Sequence, residues 1–271
     1  MGAPTDLRVP TWNVWWRFGE RWQERQEGIA ATPERLDADI IGLQESWATR
    51  HESQAAVLAE RLGMQSQWAG PSLPDLPDEP ESPDHEGVDL GLALLSRWPI
   101  LDSWRRTLPS SRDLAPVALV AVIDHPLGPL RVVCACADYH AHLADDHLAQ
   151  TRELAALMLE LAALESPLPV LLIGDLNAAP DGPELAPLLE VMTDAWTAAG
   201  HAPGEGVTLS SEHPDAPLGA VKQLDRRIDY VLVRPSPGGR APEVRSASVV
   251  AETVEGLYPS DHFAVVAGLA V

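Results

Sequence analysis

The sequence is 271 residues long, enough for one large domain with a substantial core. Its 40 acidic and 19 basic residues give a formal net charge of −21, a field that repels polyanions and disfavours duplex nucleic acid as a partner. No apolar run reaches the roughly eighteen residues of a membrane span, and no basic-then-apolar leader opens the chain, so a cytoplasmic protein with no membrane span is expected.

In chain order, residues 7–14 read as a first strand that runs into a tryptophan cluster at Trp12, Trp15 and Trp16. Residues 21–37 have helical period, with Thr32 and Pro33 reading as an N-cap and first helical position that restart the helix. Residues 39–44 form a short buried strand that delivers Glu45 at its end. Residues 53–62 are an amphipathic helix closed by Gly63. The stretch at about 70–88 is rich in proline and acid and nearly empty of core residues, which predicts an exposed, mobile loop inside a single domain spanning 1–271.

Strands follow at 92–96, 117–122 and 130–137, then a long helix at 145–164 and a continuous apolar strand at 170–174. The chain finishes with strands at 228–233, 246–250 and 263–269. Many short strands with helices between them predict an α/β (α+β) fold in which two packed sheets are flanked by helices. Cys134 and Cys136 stand on one face of a strand, where a disulfide staple is not expected, and read as buried reduced thiols. With no further thiol nearby they cannot form a structural zinc site.

Polar residues recur at strand ends beside turn signals: Asn13, Glu45, Asp175 with Asn177, Asp229, and Asp261 beside His262. Each alone reads equally well as a turn or cap residue. Together they read as a site assembled at a sheet rim. In Asp175-Leu176-Asn177 an extended chain puts both polar groups on one face, about 7 Å apart, so the carboxylate can take a proton from water while the amide holds the water or a phosphoryl oxygen. Asp229 can fix the tautomer of His262, as carboxylates do in triads. Glu45, Asn13 and Asp261 offer hard oxygens, which suit Mg²⁺ or Mn²⁺ better than zinc.

The ordered set Thr11-Trp12-Asn13, Gly42-Leu43-Gln44-Glu45, residues 93–100, Gly174-Asp175-Leu176-Asn177, Arg227-Ile228-Asp229-Tyr230 and Ser260-Asp261-His262 resembles the endonuclease/exonuclease/phosphatase superfamily over residues 7–271. That superfamily includes deoxyribonucleases, abasic-site endonucleases, inositol polyphosphate phosphatases and neutral sphingomyelinases. The resemblance implies a four-layered α/β sandwich and a divalent-metal-dependent phosphoesterase acting by attack of an activated water. It implies Glu45 as principal metal ligand with Asn13 and Asp261 close by, and Asp175 as base. Asn177 would hold phosphate or water, and His262, oriented by Asp229, would contact the phosphoryl group.

The sequence departs from that pattern at one point. The family's Thr-His-Leu falls on the strand that ends Cys134-Ala135-Cys136-Ala137, with Cys136 at or near the histidine. His140 and His142 follow directly, and either they reach the site from a turn or they are ordinary loop residues. Trp15, Trp16 and Trp47 follow site residues and are expected either in the core or along a substrate cleft. A phosphate-ester substrate is the leading expectation. A nuclease is a second, with Arg17, Arg21, Arg25, Arg226 and Arg227 as its only candidate cations near the motifs. A non-catalytic binding protein is a third, which the full polar set argues against.

Overall fold

The computed structural model describes residues 6–19, 21–76, 79–217, 224–239 and 242–271. In chain order the elements are β1 (Asp6–Asn13), α1 (Trp22–Arg35), β2 (Ile40–Ala48), α2 (Gln54–Leu62), β3 (Gln65–Ala69), β4 (Asp89–Ser96), β5 (Ile100–Thr107), β6 (Val117–His125) and β7 (Gly128–Cys136). They continue with α3 (Ala144–Ala162), β8 (Val170–Asp175), α4 (Ala186–Leu189), β9 (Thr193–Asp194), α5 (Ala195–Ala198), β10 (Asp229–Arg234), β11 (Glu243–Val250) and β12 (Ala264–Ala270). The strands divide into two sheets of six, ordered β11-β12-β1-β2-β4-β3 and β5-β6-β7-β8-β10-β9.

Alternation along the strands dictates the layering. In β7, Val132, Cys134 and Cys136 point into the core between the sheets, together with Leu171 and Ile173 of β8 and Leu7 and Val9 of β1. The intervening Val133, Ala135, Val170 and Leu172 turn outward to Leu154, Leu157, Met158 and Leu161 of α3. On the other side Trp12, Ile41, Leu43 and Leu95 pack against Ile29 of α1 and Leu58 of α2. The result is the expected four-layered sandwich of two mixed sheets between helices, with β8 covered on both faces. Cys134 and Cys136 are buried free thiols.

Each sheet contains one parallel pair, β1 with β2 and β7 with β8, while its other pairings are antiparallel. The parallel pairs face each other across the core. Their carboxyl ends therefore open on one edge, where Asn13, Glu45, Cys136 and Asp175 emerge. Strand β10 runs antiparallel to β8 and starts opposite its end, Asp229 against Asp175. Strand β12 runs antiparallel to β1, so the Ser260–His262 segment just before it arrives at the same edge. Topology alone brings the polar strand ends together.

Two glycines make this edge close. A Cβ on Gly42 would meet Ile173 Cδ1 of the opposite sheet at 2.5 Å, and one on Gly174 would meet the Ala135 carbonyl oxygen at 2.1 Å. The contact at Gly174 is with backbone and admits the neighbouring strand only as glycine, whereas at Gly42 the Ile173 side chain would have to shift.

Two expectations are corrected and two strands are added. Helix α1 runs unbroken from Trp22 to Arg35 with Pro33 inside it, so Thr32 and Pro33 do not restart it. Pro33 forgoes one helical amide donor, and the buried Ile29 and Ala30 hold the helix to the sheet despite it. Strands β3 and β5 were not foreseen. Each lies at the edge of its sheet and is mostly polar or half-exposed, so no continuous apolar run marks it. The acidic loop is packed at both ends: Leu73 is buried in the inter-sheet core, and the turn Pro83–His85 is tied to the β1–α1 loop. There Arg17 Nη1 donates to the Asp84 carbonyl at 2.7 Å, and His85 Nε2 meets the Arg17 carbonyl at 2.9 Å. Residues 77–78 of that loop lie outside the described residues.

Candidate active site

Glu45 sits on a bulge. Between Leu43 and Ser46 the pairing of β2 with β4 shifts register, and Glu45 takes a left-handed backbone with φ of 53°. For a residue with a full side chain that conformation costs on the order of 1–3 kcal/mol, and such cost concentrates where a side chain must be re-aimed. Trp15, Trp16 and Asn177 are also left-handed, at φ of 54°, 31° and 49°. Four of the seven such non-glycine residues among the described residues therefore border this one rim.

The side chains interlock. Asn13 Nδ2 donates to Glu45 Oε1 at 2.8 Å and to Asp175 Oδ2 at 3.1 Å, bridging the two sheets. Its oxygen accepts from the Trp15 amide at 3.0 Å. Asn13 thus presents donors to two carboxylates, and its oxygen is already engaged. In this geometry it acts as a spacer between the two acids. Asp175 Oδ1 accepts from the Asn177 amide at 3.1 Å. Asn177 Nδ2 donates to the Ala137 carbonyl at 3.0 Å, which commits the nitrogen to the end of β7.

His262 Nδ1 lies 3.1 Å from Asp229 Oδ2. The segment carrying it is fastened to β1 by two further bonds: Trp12 Nε1 donates to the His262 carbonyl at 2.9 Å, and Ser260 Oγ donates to the Asn13 carbonyl at 2.7 Å. Asn13, Glu45, Asp175, Asn177, Asp229, Asp261 and His262 are all buried at this rim. Glu45, Asp175, Asn177, Asp261 and His262 line one cleft of about 250 Å³.

Crowded carboxylates raise one another. Burial, and then the charge of Asp261, push Glu45 up to about 8. Burial and the charge of Asp229 push Asp175 up to about 7. Burial raises Asp261 against the pull of His262 and Arg25. Burial alone would lower His262, but the charge and hydrogen bond of Asp229, with Asp175 and Asp261, carry it well above its ordinary value.

Four buried carboxylates with so few counter-charges form a cation-binding chemistry. Glu45 Oε2 and Asp229 Oδ1 are buried with no hydrogen-bond partner. These are the groups a divalent ion would satisfy, so the residues fit a hard metal. Atoms of Asp175, Asp229 and His262 lie within 4.8 Å of one another and make a second possible set. In that trio Asp229 Oδ1 is itself unpartnered, so Glu45 with Asp261 and the trio are two sets of carboxylates open to the ion.

The remaining sequence candidates separate. Trp15 lines the cleft with Phe18 and Tyr139, whereas Trp16 and Trp47 are buried in a small cluster with Val88 and Leu90. His140 is drawn away from the cleft, its Nδ1 at 2.7 Å from Arg112 Nη2 and 3.3 Å from Asp138 Oδ1. His142 is exposed and packs edge-on against His140. Neither histidine is among the residues that line the cleft.

The arginines offered for nucleic acid are largely committed elsewhere. Arg227 is buried against Asp194 at 2.8 Å, and Arg21 pairs with Glu24. Arg17 is sandwiched between Trp22 and Trp47. Arg25 is a buried clamp that sequence reasoning missed. Its guanidinium donates to the carbonyls of Val14, Trp15, Trp16 and Phe18 and to that of Pro259, joining the β1–α1 loop to the segment of Asp261. Spacing in α1 marks Arg25 as lying on the buried side with Ile29, which was the available signal.

A four-layered sandwich that gathers buried carboxylates, amides and an imidazole at one rim has the architecture of a metal-dependent phosphoesterase. The chain belongs to the Endonuclease/Exonuclease/phosphatase family, which it matches over residues 11–262. Among solved structures, truncated TDP2 from Caenorhabditis elegans superposes with a TM-score of 0.76 at 16% identity, covering 98% of each chain. TDP2 of D. rerio complexed with single strand DNA product gives 0.77 at 15% identity, over 98% of this chain and 100% of that one. A functionally unknown conserved protein from Enterococcus faecalis V583 gives 0.73 at 19% identity, over 97% and 99%. At such identities the likeness speaks for the fold. A search of curated proteins found no match. Among the described residues no helix is long and apolar enough to cross a membrane.

Proposed function

We propose that the chain, taken as one unit over 1–271, hydrolyses a small phosphate ester by direct attack of water. The observation that carries this reading is the convergence of Glu45, Asp175, Asn177, Asp261 and His262 on one cleft, beside an unpartnered Glu45 Oε2. Glu45 and Asp261 would hold Mg²⁺ or Mn²⁺, and the ion when bound supplies positive charge to the phosphoryl group and the leaving oxygen. Asp175, poised near neutrality, takes the proton of the attacking water. The Asn177 nitrogen is committed to Ala137, so its oxygen is the atom that orients that water. His262, kept cationic by Asp229, donates to a phosphoryl oxygen.

The described lining of the cleft contains no arginine or lysine and is largely apolar beyond its acidic floor. That favours one phosphate with apolar flanks over a duplex backbone, which needs many cationic contacts. The test is a panel in Mg²⁺ or Mn²⁺ of bis-p-nitrophenyl phosphate, p-nitrophenyl phosphate, inositol phosphates, sphingomyelin and plasmid DNA. Turnover of a small ester above that of plasmid is expected. Hydrolysis of none of them would overturn the reading, and robust plasmid cleavage at physiological ionic strength would transfer it to a nuclease.

A further inference from the structure

We infer that Tyr139 supplies the hydrogen-bond donor to the phosphoryl group on the wall where the family's histidine is replaced by Cys136. This rests on the phosphoesterase reading above and adds a residue to it. Cys136 cannot do the work: it is buried at the end of β7, and burial with the charges of Asp175 and Glu45 holds its thiol well above the ordinary range, neutral and a weak donor.

The backbone beyond β7 is pinned so that Tyr139 faces the cleft. The Ala137 amide donates to the Asp175 carbonyl at 3.0 Å, continuing the β7–β8 ladder. Asp138 is fully buried on the other side, its amide donating to Gln150 Oε1 at 2.8 Å and its carboxylate accepting from Arg112 Nε at 2.9 Å. His140 is captured by the same Asp138 and Arg112. With Asp138 held toward α3, Tyr139 is left on the cleft wall with Cys136, Asp175 and Asn177.

The hydroxyl is available. Among the described residues Tyr139 Oη has no hydrogen-bond partner, while its ring is held at 4.0 Å from that of His140. Burial and the nearby charge of Glu45 push it up to about 12, so the phenol stays protonated at working pH. It therefore serves as a fixed donor to a non-bridging phosphoryl oxygen, and no proton changes hands. A preorganised donor of this kind strengthens as charge develops on the phosphoryl oxygens.

The experiment compares Tyr139→Phe and Tyr139→His with the parent in saturating Mn²⁺ on the best ester of the panel, alongside calorimetric titration with tungstate. Tyr139→Phe is expected to lower kcat on the order of 10²-fold with KM within about threefold, and to weaken tungstate about tenfold. Tyr139→His keeps a donor and should retain clearly more activity than Tyr139→Phe. A kcat and a tungstate affinity for Tyr139→Phe both within about threefold of the parent would overturn the inference. So would a loss of the same size in His142→Ala, which would put the donor on that histidine. If the parent hydrolyses no ester, the proposed function fails, and the tungstate titration still decides the role of Tyr139.

Discussion

The two sheets carry the same device and complete it differently. Each has a parallel pair at its centre whose carboxyl ends open on the shared rim. In the first sheet these ends are Asn13 and Glu45, both polar, with Glu45 thrown forward on a left-handed bulge. In the second they are Cys136 and Asp175, with Asp175 still in the regular ladder, paired with Cys136 and Asp229. On the proposed reading one half offers a cation site and the other a base beside a thiol. Topology fixes where a side chain will stand, and the residue at that place decides what it can do. Where the second sheet spends a strand end on cysteine, the polar contact must come from beyond the strand.

The largest effect expected from breaking this division is at the base. Asp175→Asn should cost roughly 10²–10⁴-fold in kcat while leaving divalent-ion affinity nearly unchanged, as read by kinetics and calorimetry. Activity within about tenfold of the parent would remove the base from the second sheet. Glu45→Gln should act in the opposite sense, raising the Mn²⁺ needed for half-maximal activity roughly tenfold or more. Unchanged metal dependence there would move the cation to Asp175, Asp229 and His262.

Next in size is the clamp between the halves. Arg25→Met keeps the aliphatic stem but leaves five carbonyls without their donor, and each buried unsatisfied group costs about 1–3 kcal/mol. A loss of stability on the order of 3 kcal/mol in denaturant unfolding is expected.

The same crowding of acids gives a pH response in the metal-free protein. Glu45 and Asp175 hold protons in the folded state up to about 8 and about 7, whereas the unfolded chain releases them near the ordinary carboxylate range. The folded state then binds more protons, and stability falls as pH rises from about 5 to 8. His262, raised in the fold, adds stability below its ordinary value that is lost as pH rises through its folded value, the same direction. Thermal melts across this range should show the decline, and added Mn²⁺ should flatten it; a metal-free protein that grows more stable toward pH 8 would contradict the crowding of these acids. The smallest effect belongs to Cys136→Ala, whose rate should stay within about threefold, since removing a neutral thiol takes away no strong donor.

These contrasts also show what the sequence made legible. The central strands announce themselves through runs such as residues 170–174, because a strand covered on both faces has no polar alternation to blur it. The rim residues were legible because each follows such a run. The edge strands β3 and β5 were not, since half their surface meets solvent and their composition resembles a loop. Arg25 looked like a cation available to a polyanion, but its carbonyl partners come from residues 14–18 and 259, a grouping that exists only once α1 has docked. The reorientation of Glu45 by a bulge, and the diversion of His140 by Arg112 and Asp138, likewise depend on distant segments.

Gly42 and Gly174 change how the motif letters themselves are understood. Gly174-Asp175-Leu176-Asn177 invites a purely chemical interpretation, yet its first residue is there for clearance, since any Cβ would run into the Ala135 carbonyl. Gly42, three places before Glu45, similarly keeps Ile173 of the facing sheet within reach. Substitution scanning across this rim should therefore find two kinds of intolerance side by side. At Asp175 and Glu45 function should suffer most, whereas at Gly174 even alanine should separate strands and lower the yield of folded protein, and at Gly42 alanine should displace the Ile173 side chain. A sequence signature of this kind records the spacing of two sheets as faithfully as it records a reaction.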